Sequence, residues 1–404
     1  MKIMKNWVKK RHNRIFKMVK KPIGNYLKKH YGLTFTPFDT EGKPYLILAN
    51  HQTALDHFVI LLPLKEYAYL IASEDIFSIR LGKLLSWAVA PVPLVKGQKN
   101  VSTILTCRRI AAQNKSVALC PEGNRTFSGK TEYIAPSVAK MAKLLKLPIA
   151  FMVIRGGYGV RPRWAEENRP AKMHVSVESV LTQEEYSKMT DDQLYEEICK
   201  RLYVDESNDD GTVYDCAHRA EYLERVLYYC PHCGMTHFES HEHELKCTKC
   251  GMTVIYQTNK QFTTADGTPP PFNNVNEWYE AQRKFVVEYQ PTDNDTALTE
   301  DACNVYDVRL MKGKKLLHKN AKLTLYPDKI VFTLKKGQAI KKEFLTDVTS
   351  MAVLGKNKLE VFVDDKVWQV VGDKRFNAVK YANFFFKYKN NKEGIYDLGQ
   401  FLGL

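Results

Sequence analysis

The chain has 404 residues, of which 44% are hydrophobic, 11% aromatic and 26% charged. That length allows two or three domains, and that composition excludes wholesale disorder. The net charge of +15 calls for an anionic partner: nucleic acid, a membrane surface or a phosphorylated substrate.

The charge sits mostly at the start. Residues 1–38 hold eleven Lys or Arg and no acid, so 15 − 11 leaves +4 for the rest. Residues 2–27 have the pattern of an amphipathic helix. Met4, Val8, Ile15, Met18 and Val19 fall on one face, and Lys2, Lys5, Lys9, Lys17 and Lys20 on the other. Pro22 and Gly24 are expected to divide or end it. Such a helix suits the headgroup layer of an anionic membrane. A solvated helix packed on its own domain has the same pattern. No run approaches the roughly 20 apolar residues of a membrane span. The longest, 84–95, contains Pro91 and Pro93. No apolar stretch of a secretory signal follows the first charges.

Strand-like runs at 45–49, 67–72, 116–120 and 148–154 alternate with helical patterns at 55–62, 101–113 and 137–145. This predicts an α/β domain with a mixed sheet covered by helices. Further helices are expected at 183–203 and 217–229. Residues 258–273, with Pro269-Pro270-Pro271, read as linker, 276–289 as a short helix and 290–302 as linker again. From 304 the pattern changes to seven short strands: 305–311, 321–326, 330–334, 339–345, 348–354, 359–363 and 367–371. A helix at 377–388 follows, which predicts a small barrel or sandwich with a terminal helix as its cap.

Two motifs carry chemistry. Asn50-His51-Gln52-Thr53-Ala54-Leu55-Asp56 follows a strand and opens a helix. A neutral histidine takes a proton near physiological pH, and a carboxylate on its other nitrogen fixes the tautomer. Taken alone, the motif also fits a structural histidine. Cys120-Pro121-Glu122-Gly123-Asn124-Arg125 ends the strand at 116–120. A Gly-containing turn there offers backbone N–H groups, and Arg125 offers a fork for phosphate. Glu122 suits substrate hydroxyls or a hold on Arg125. Alone, the run also fits a charged turn closed by an ion pair.

Together the two motifs resemble the glycerolipid acyltransferase family. Its Asn-His-x4-Asp signature matches Asn50, His51 and Asp56, and its Pro-Glu-Gly-x-Arg signature matches Pro121, Glu122, Gly123 and Arg125. The family's basic position after an apolar run falls at Lys96, and its apolar fourth block at Leu147-Pro148-Ile149-Ala150. The resemblance covers residues 40–160. Cys120, Asn124 and Lys96 depart from the common residues, which puts the acceptor's identity in question. The resemblance implies acyl transfer from acyl-CoA or acyl-carrier protein, with His51 as general base and Asp56 orienting it. Asn50, Lys96, Glu122, Gly123 and Arg125 are then the substrate-binding set. The expected acceptor is a lysophospholipid, 1-acyl-sn-glycerol 3-phosphate, giving phosphatidic acid. Another lysophospholipid or a glycolipid is the alternative acceptor. A non-catalytic lipid- or protein-binding adaptor is the rival class, and the intact His51/Asp56 pair counts against it.

Cys230, Cys233, Cys247 and Cys250 form two Cys-x2-Cys pairs, each followed by Gly, with thirteen residues between them. Four thiolates at this spacing close a tetrahedral structural zinc site. A rubredoxin-like iron site shares the pattern. Lys246 and Lys249 stand against Glu239, Glu242 and Glu244, so the ribbon is no basic patch for nucleic acid. A structural role, or a protein partner through the ribbon or the C-terminal domain, fits better. The C-terminal pattern resembles a pleckstrin-homology-like or GRAM-like barrel in shape.

The expected plan is a basic membrane-surface helix (1–30), an acyltransferase domain (31–225), a zinc ribbon (226–257), a linker with a short helix (258–302) and the β domain (303–404). The expected place is the cytoplasmic face of the cell membrane, as a peripheral enzyme on anionic lipid.

Overall fold

A computed structural model describes residues 7–73, 82–94, 100–309, 313–334, 337, 339–364 and 366–394. The chain forms two compact units, residues 1–162 with 168–206, and residues 163–167 with 207–404.

The first unit opens with α1 (Lys10–Tyr31), β1 (Leu33–Phe35), β2 (Leu46–Ala49), α2 (Asp56–Val59) and β3 (Tyr69–Ser73). Next come α3 (Gly82–Val89), β4 (Val92–Leu94), α4 (Val101–Ala111), β5 (Val117–Leu119), α5 (Ser137–Leu145) and β6 (Ile149–Arg155). It closes with α6 (Gly157–Val160), β7 (Met173–Leu181), α7 (Gln183–Ser187) and α8 (Asp191–Leu202). The sheet order is β1-β7-β6-β2-β5-β3-β4, parallel except between β6 and β7. The central strands are almost wholly apolar, and every residue of β2 is buried. That is the pattern of a sheet covered on both faces.

Register fixes where the site lies. Leu46 stands opposite both Val117 and Ile149, so β2, β5 and β6 finish at one edge. Asn50 and Cys120 therefore leave the sheet side by side, at the carboxyl edge where α/β sheets bind ligands.

Three local expectations change. The first helix runs to Tyr31 with Pro22 inside it. Pro22 is exposed, so water can serve the carbonyl that loses its partner. The helix is seated by a different face from the one read off the sequence, through buried His12, Phe16, Leu27 and Tyr31. Met18 instead points outward and is 76% exposed. The helical pattern of 183–203 is two helices, because Thr182 and Thr190 each start one with a full capping box.

The second unit begins with a cysteine hairpin, β8 (Tyr229–Cys230) and β9 (Gly234–Met235). A four-stranded sheet follows: β10 (Phe238–His241), β11 (Glu244–Cys247), β12 (Thr253–Tyr256) and β13 (Phe262–Thr263). The helix expected at 217–229 is only a 3-10 turn at Leu223–Arg225. Tyr222 is left-handed at φ 74° and gives its N–H to Ser240 Oγ, which ends any helix there. Residues 258–273 are not free linker, since β13 pairs with β12 and Gln261 bridges to Asn274.

Asn274 then caps α9 (Val275–Glu288). Trp278 and Gln282 of α9 hydrogen-bond the chain at Tyr229, Tyr228 and Val226. Seven antiparallel strands follow: β14 (Thr299–Arg309), β15 (Gly313–Leu325), β16 (Lys329–Thr333), β17 (Ala339–Phe344), β18 (Ser350–Leu354), β19 (Lys358–Val363) and β20 (Lys366–Val371). Their order is β17-β16-β15-β14-β20-β19-β18. The terminal helix α10 (Val379–Glu393) buries Tyr381, Phe384 and Phe385. The first strand starts at Thr299, opposite Leu325, inside the stretch read as linker.

Candidate active site

At the end of β2 the Asn50 amide continues the ladder to β6 by side chain. Its Nδ2 donates to Ile154 O (2.9 Å) and its Oδ1 accepts from Ile154 N (2.7 Å). Asn50 is 1% exposed, so it clamps two strands rather than facing a substrate. The next residues turn around one carboxylate. Asp56 Oδ2 accepts from His51 Nδ1 (2.8 Å), Gln52 N (2.6 Å) and Thr53 N (2.9 Å), and its Oδ1 accepts from Thr53 Oγ1 (2.6 Å). The Asp56 side chain is fully buried, while that of His51 is 12% exposed. With Nδ1–H donated to the carboxylate, the lone pair that can take a proton is on Nε2.

The second motif is stitched to the first through the backbone of His51. His51 N donates to Glu122 Oε1 (2.7 Å), and His51 O accepts from Thr126 N (3.0 Å). The other oxygen of Glu122 accepts from Glu132 N (2.7 Å). Glu122 is buried, which pushes its carboxyl well above the usual range. Both of its oxygens hold backbone, so it ties loops together rather than reading substrate hydroxyls. Gly123 sits at φ 65° and gives its N–H to Cys120 O (3.1 Å), so that N–H serves the turn. Lys96 lies outside the described residues.

Arg125 is half-buried at the end of this loop, close enough to Asp56 and Arg161 to feel both. Burial, with repulsion from Arg161, lowers its pKa to about 10, while Asp56 opposes the shift. Arg161 is held by Tyr31, whose hydroxyl accepts from Nη1 at 2.7 Å. It follows α6, which lies against the histidine turn. Gln52 Oε1 accepts from Tyr158 N (3.2 Å), and a Cβ on Gly157 would come within 2.6 Å of Gln52 Oε1. Sequence reading missed Arg161 and also His57, the residue after Asp56. Its ring stands 6.0 Å from that of His51 at 89°. No periodicity or spacing signals Arg161, whereas His57 is legible only as a neighbour of the motif.

In the second unit the four cysteines converge. Their sulfurs lie within 4.8 Å of one another, with Cys230 to Cys250 at 3.7 Å and Cys233 to Cys247 at 4.0 Å. Metal–sulfur bonds of about 2.3 Å in a tetrahedron put sulfurs about 3.8 Å apart. The donor set therefore fits one tetrahedral metal ion.

The acyltransferase family matches residues 28–155, a span that contains both motifs. That match makes residues 28–155 an acyltransferase domain within the longer chain. It is similar to the crystal structure of the 1-acyl-sn-glycerophosphate (LPA) acyltransferase PlsC from Thermotoga maritima, at 16% identity and TM-score 0.38, over 47% of this chain and 82% of that one. It is also similar to the C-terminal domain of an unknown protein from Leishmania infantum, at 14% identity and TM-score 0.17, over 23% of this chain and 84% of that one. No curated protein matches the chain.

Proposed function

We propose that the protein moves a fatty acyl group from acyl-CoA or acyl-carrier protein to the hydroxyl of 1-acyl-sn-glycerol 3-phosphate, giving phosphatidic acid. The observation that carries this reading is the joining of His51–Asp56 to the Arg125 loop, with Arg161 as a second cation beside it. A base and a paired cationic wall suit an acceptor that bears both a hydroxyl and a phosphate.

His51 Nε2 takes the hydroxyl proton while that oxygen bonds the thioester carbonyl carbon. Collapse breaks the carbon–sulfur bond, and the proton passes from His51 to the leaving thiolate. Asp56 stabilises the imidazolium between these steps. Arg125 and Arg161 hold the phosphate, and Lys96 is the further cation that the family resemblance assigns to it. The metal of the four-cysteine site is zinc, which in a closed thiolate shell is structural.

The enzyme works as a peripheral protein on the cytoplasmic face of the cell membrane. Lys10, Arg14, Lys17, Lys21 and Lys28 are exposed at spacings of three, four and seven along one face of α1, with Met18 beside them. Leu84 and Trp87 of α3, which packs on α1, are also more than half exposed. Each basic residue near an anionic surface contributes about 1 kcal/mol.

The test uses the purified full chain with acyl-CoA and three acceptors: lysophosphatidic acid, lysophosphatidylcholine and a monoacylglycerol. Lysophosphatidic acid should be acylated fastest, and His51→Ala should abolish the product. Preference for the monoacylglycerol, or full turnover by His51→Ala, would overturn the reading.

A further inference from the structure

His57 follows Asp56 on α2 and is half-buried. Its ring meets that of His51 edge to face at 6.0 Å. Neither ring nitrogen of His57 makes a hydrogen bond within the protein among the described residues. A polar ring placed beside a base and given no internal partner has a donor to offer to something else.

We infer that His57 is a catalytic residue, whose imidazole N–H hydrogen-bonds the oxyanion formed on the acyl thioester; the inference rests on the acyltransferase reading of the site. As the acceptor oxygen bonds the carbonyl carbon, the acceptor hydroxyl's proton goes to His51 and the carbonyl π pair moves onto the carbonyl oxygen. When the oxyanion collapses, the carbon–oxygen double bond returns and the thiolate leaves with the pair of the carbon–sulfur bond. His51 returns the proton to the thiolate, and His57 ends as it began. An oxyanion donor must face the reacting carbonyl and keep its proton throughout.

The surroundings of His57 hold it in the neutral, donating form. Burial, and repulsion from His51 and then Arg125, lower its pKa to about 4, with Asp56 opposing. A neutral N–H remains a donor, yet adds no second cation next to the imidazolium that forms on His51. The neighbouring Glu122 cannot take this role, because both its oxygens accept from backbone N–H groups.

The experiment compares the wild type, His57→Phe and His57→Gln, all full-length, with acyl-CoA and lysophosphatidic acid. Phenylalanine keeps the ring and loses the donor, whereas glutamine keeps an N–H. Loss of one oxyanion donor costs about 10²–10³ in kcat. His57→Phe should fall by that factor with acceptor KM and melting temperature little changed, and His57→Gln should recover at least tenfold of it. Equal activity of His57→Phe and the wild type would overturn the inference and leave the acyltransferase reading intact. A rise in acceptor KM at constant kcat would also overturn it, by assigning His57 to the phosphate. Equal losses in both variants would make the ring structural. A wild type that releases no CoA with any acceptor would overturn both readings.

Discussion

Asp56→Asn separates the charge of the dyad from its geometry. The carboxylate accepts four hydrogen bonds, three of them from N–H groups on Oδ2. Asparagine can turn its one oxygen toward those three donors and its NH2 toward Thr53 Oγ1, so the turn survives. What is lost is the charge. Hydrogen bonds to a charged group contribute roughly 1 kcal/mol more each than neutral ones, or about 3 kcal/mol for three. In a unit of about 200 residues, 1 kcal/mol shifts the midpoint by about 2–4 °C, so melting should fall by roughly 6–12 °C. The rate should fall further. The His51 imidazolium then has no counter-charge in the transition state, and a comparable loss in a histidine–aspartate pair costs about 10⁴ in kcat. Product formation at saturating acyl-CoA and lysophosphatidic acid, measured below the melting point, should drop by roughly 10²–10⁴. A variant that melts as expected yet keeps kcat within tenfold of wild type would refute the assignment of Asp56.

Arg125→Ala should raise KM for lysophosphatidic acid by at least tenfold and leave the acyl-CoA KM nearly unchanged, and Arg161→Ala should do the same to a smaller degree; steady-state kinetics with each substrate varied decides it. Purified protein should carry one zinc per chain by elemental analysis. Cys247→Ser should lose that zinc and unfold earlier, whereas a wild type holding only iron, or no metal, would contradict the zinc assignment. Charge reversal at Lys10, Arg14, Lys17 and Lys21 should release the protein from anionic vesicles in a sedimentation assay without lowering its melting temperature. Deleting residues 1–30 cannot make this test, because it would also remove buried Phe16 and Leu27 from the first unit.

Much of the chemistry is local and therefore legible in the sequence. His51 and Asp56 are five residues apart across one turn, so both members of the hydrogen-bonded pair lie within one short stretch of sequence. The two Cys-x2-Cys pairs are equally local, and pairing of β10 with β11 brings them together. The four central strands of the first sheet, β6, β2, β5 and β3, announce themselves as short apolar runs because both faces are covered. β1, β4 and β7 do not: the first two are only three residues long, and β7 is partly exposed with a mixed pattern.

The roles of Asn50 and Glu122 follow from partners 104 and 71 residues away, which no spacing rule reaches. Side-chain type fits either a substrate contact or a structural tie, and burial chooses the tie. The first helix shows the same division. Its sequence carries apolar residues on more than one side, and only docking on the sheet determines that Phe16 and Leu27 go inward while Met18 remains outside. Arg161 enters the site because α6 packs against the histidine turn, where any side chain on Gly157 would collide with Gln52. Residue type and short spacing set which groups can transfer an acyl chain. Long-range packing decides which of them face the place where it happens, because burial and hydrogen-bond satisfaction are properties of the folded whole.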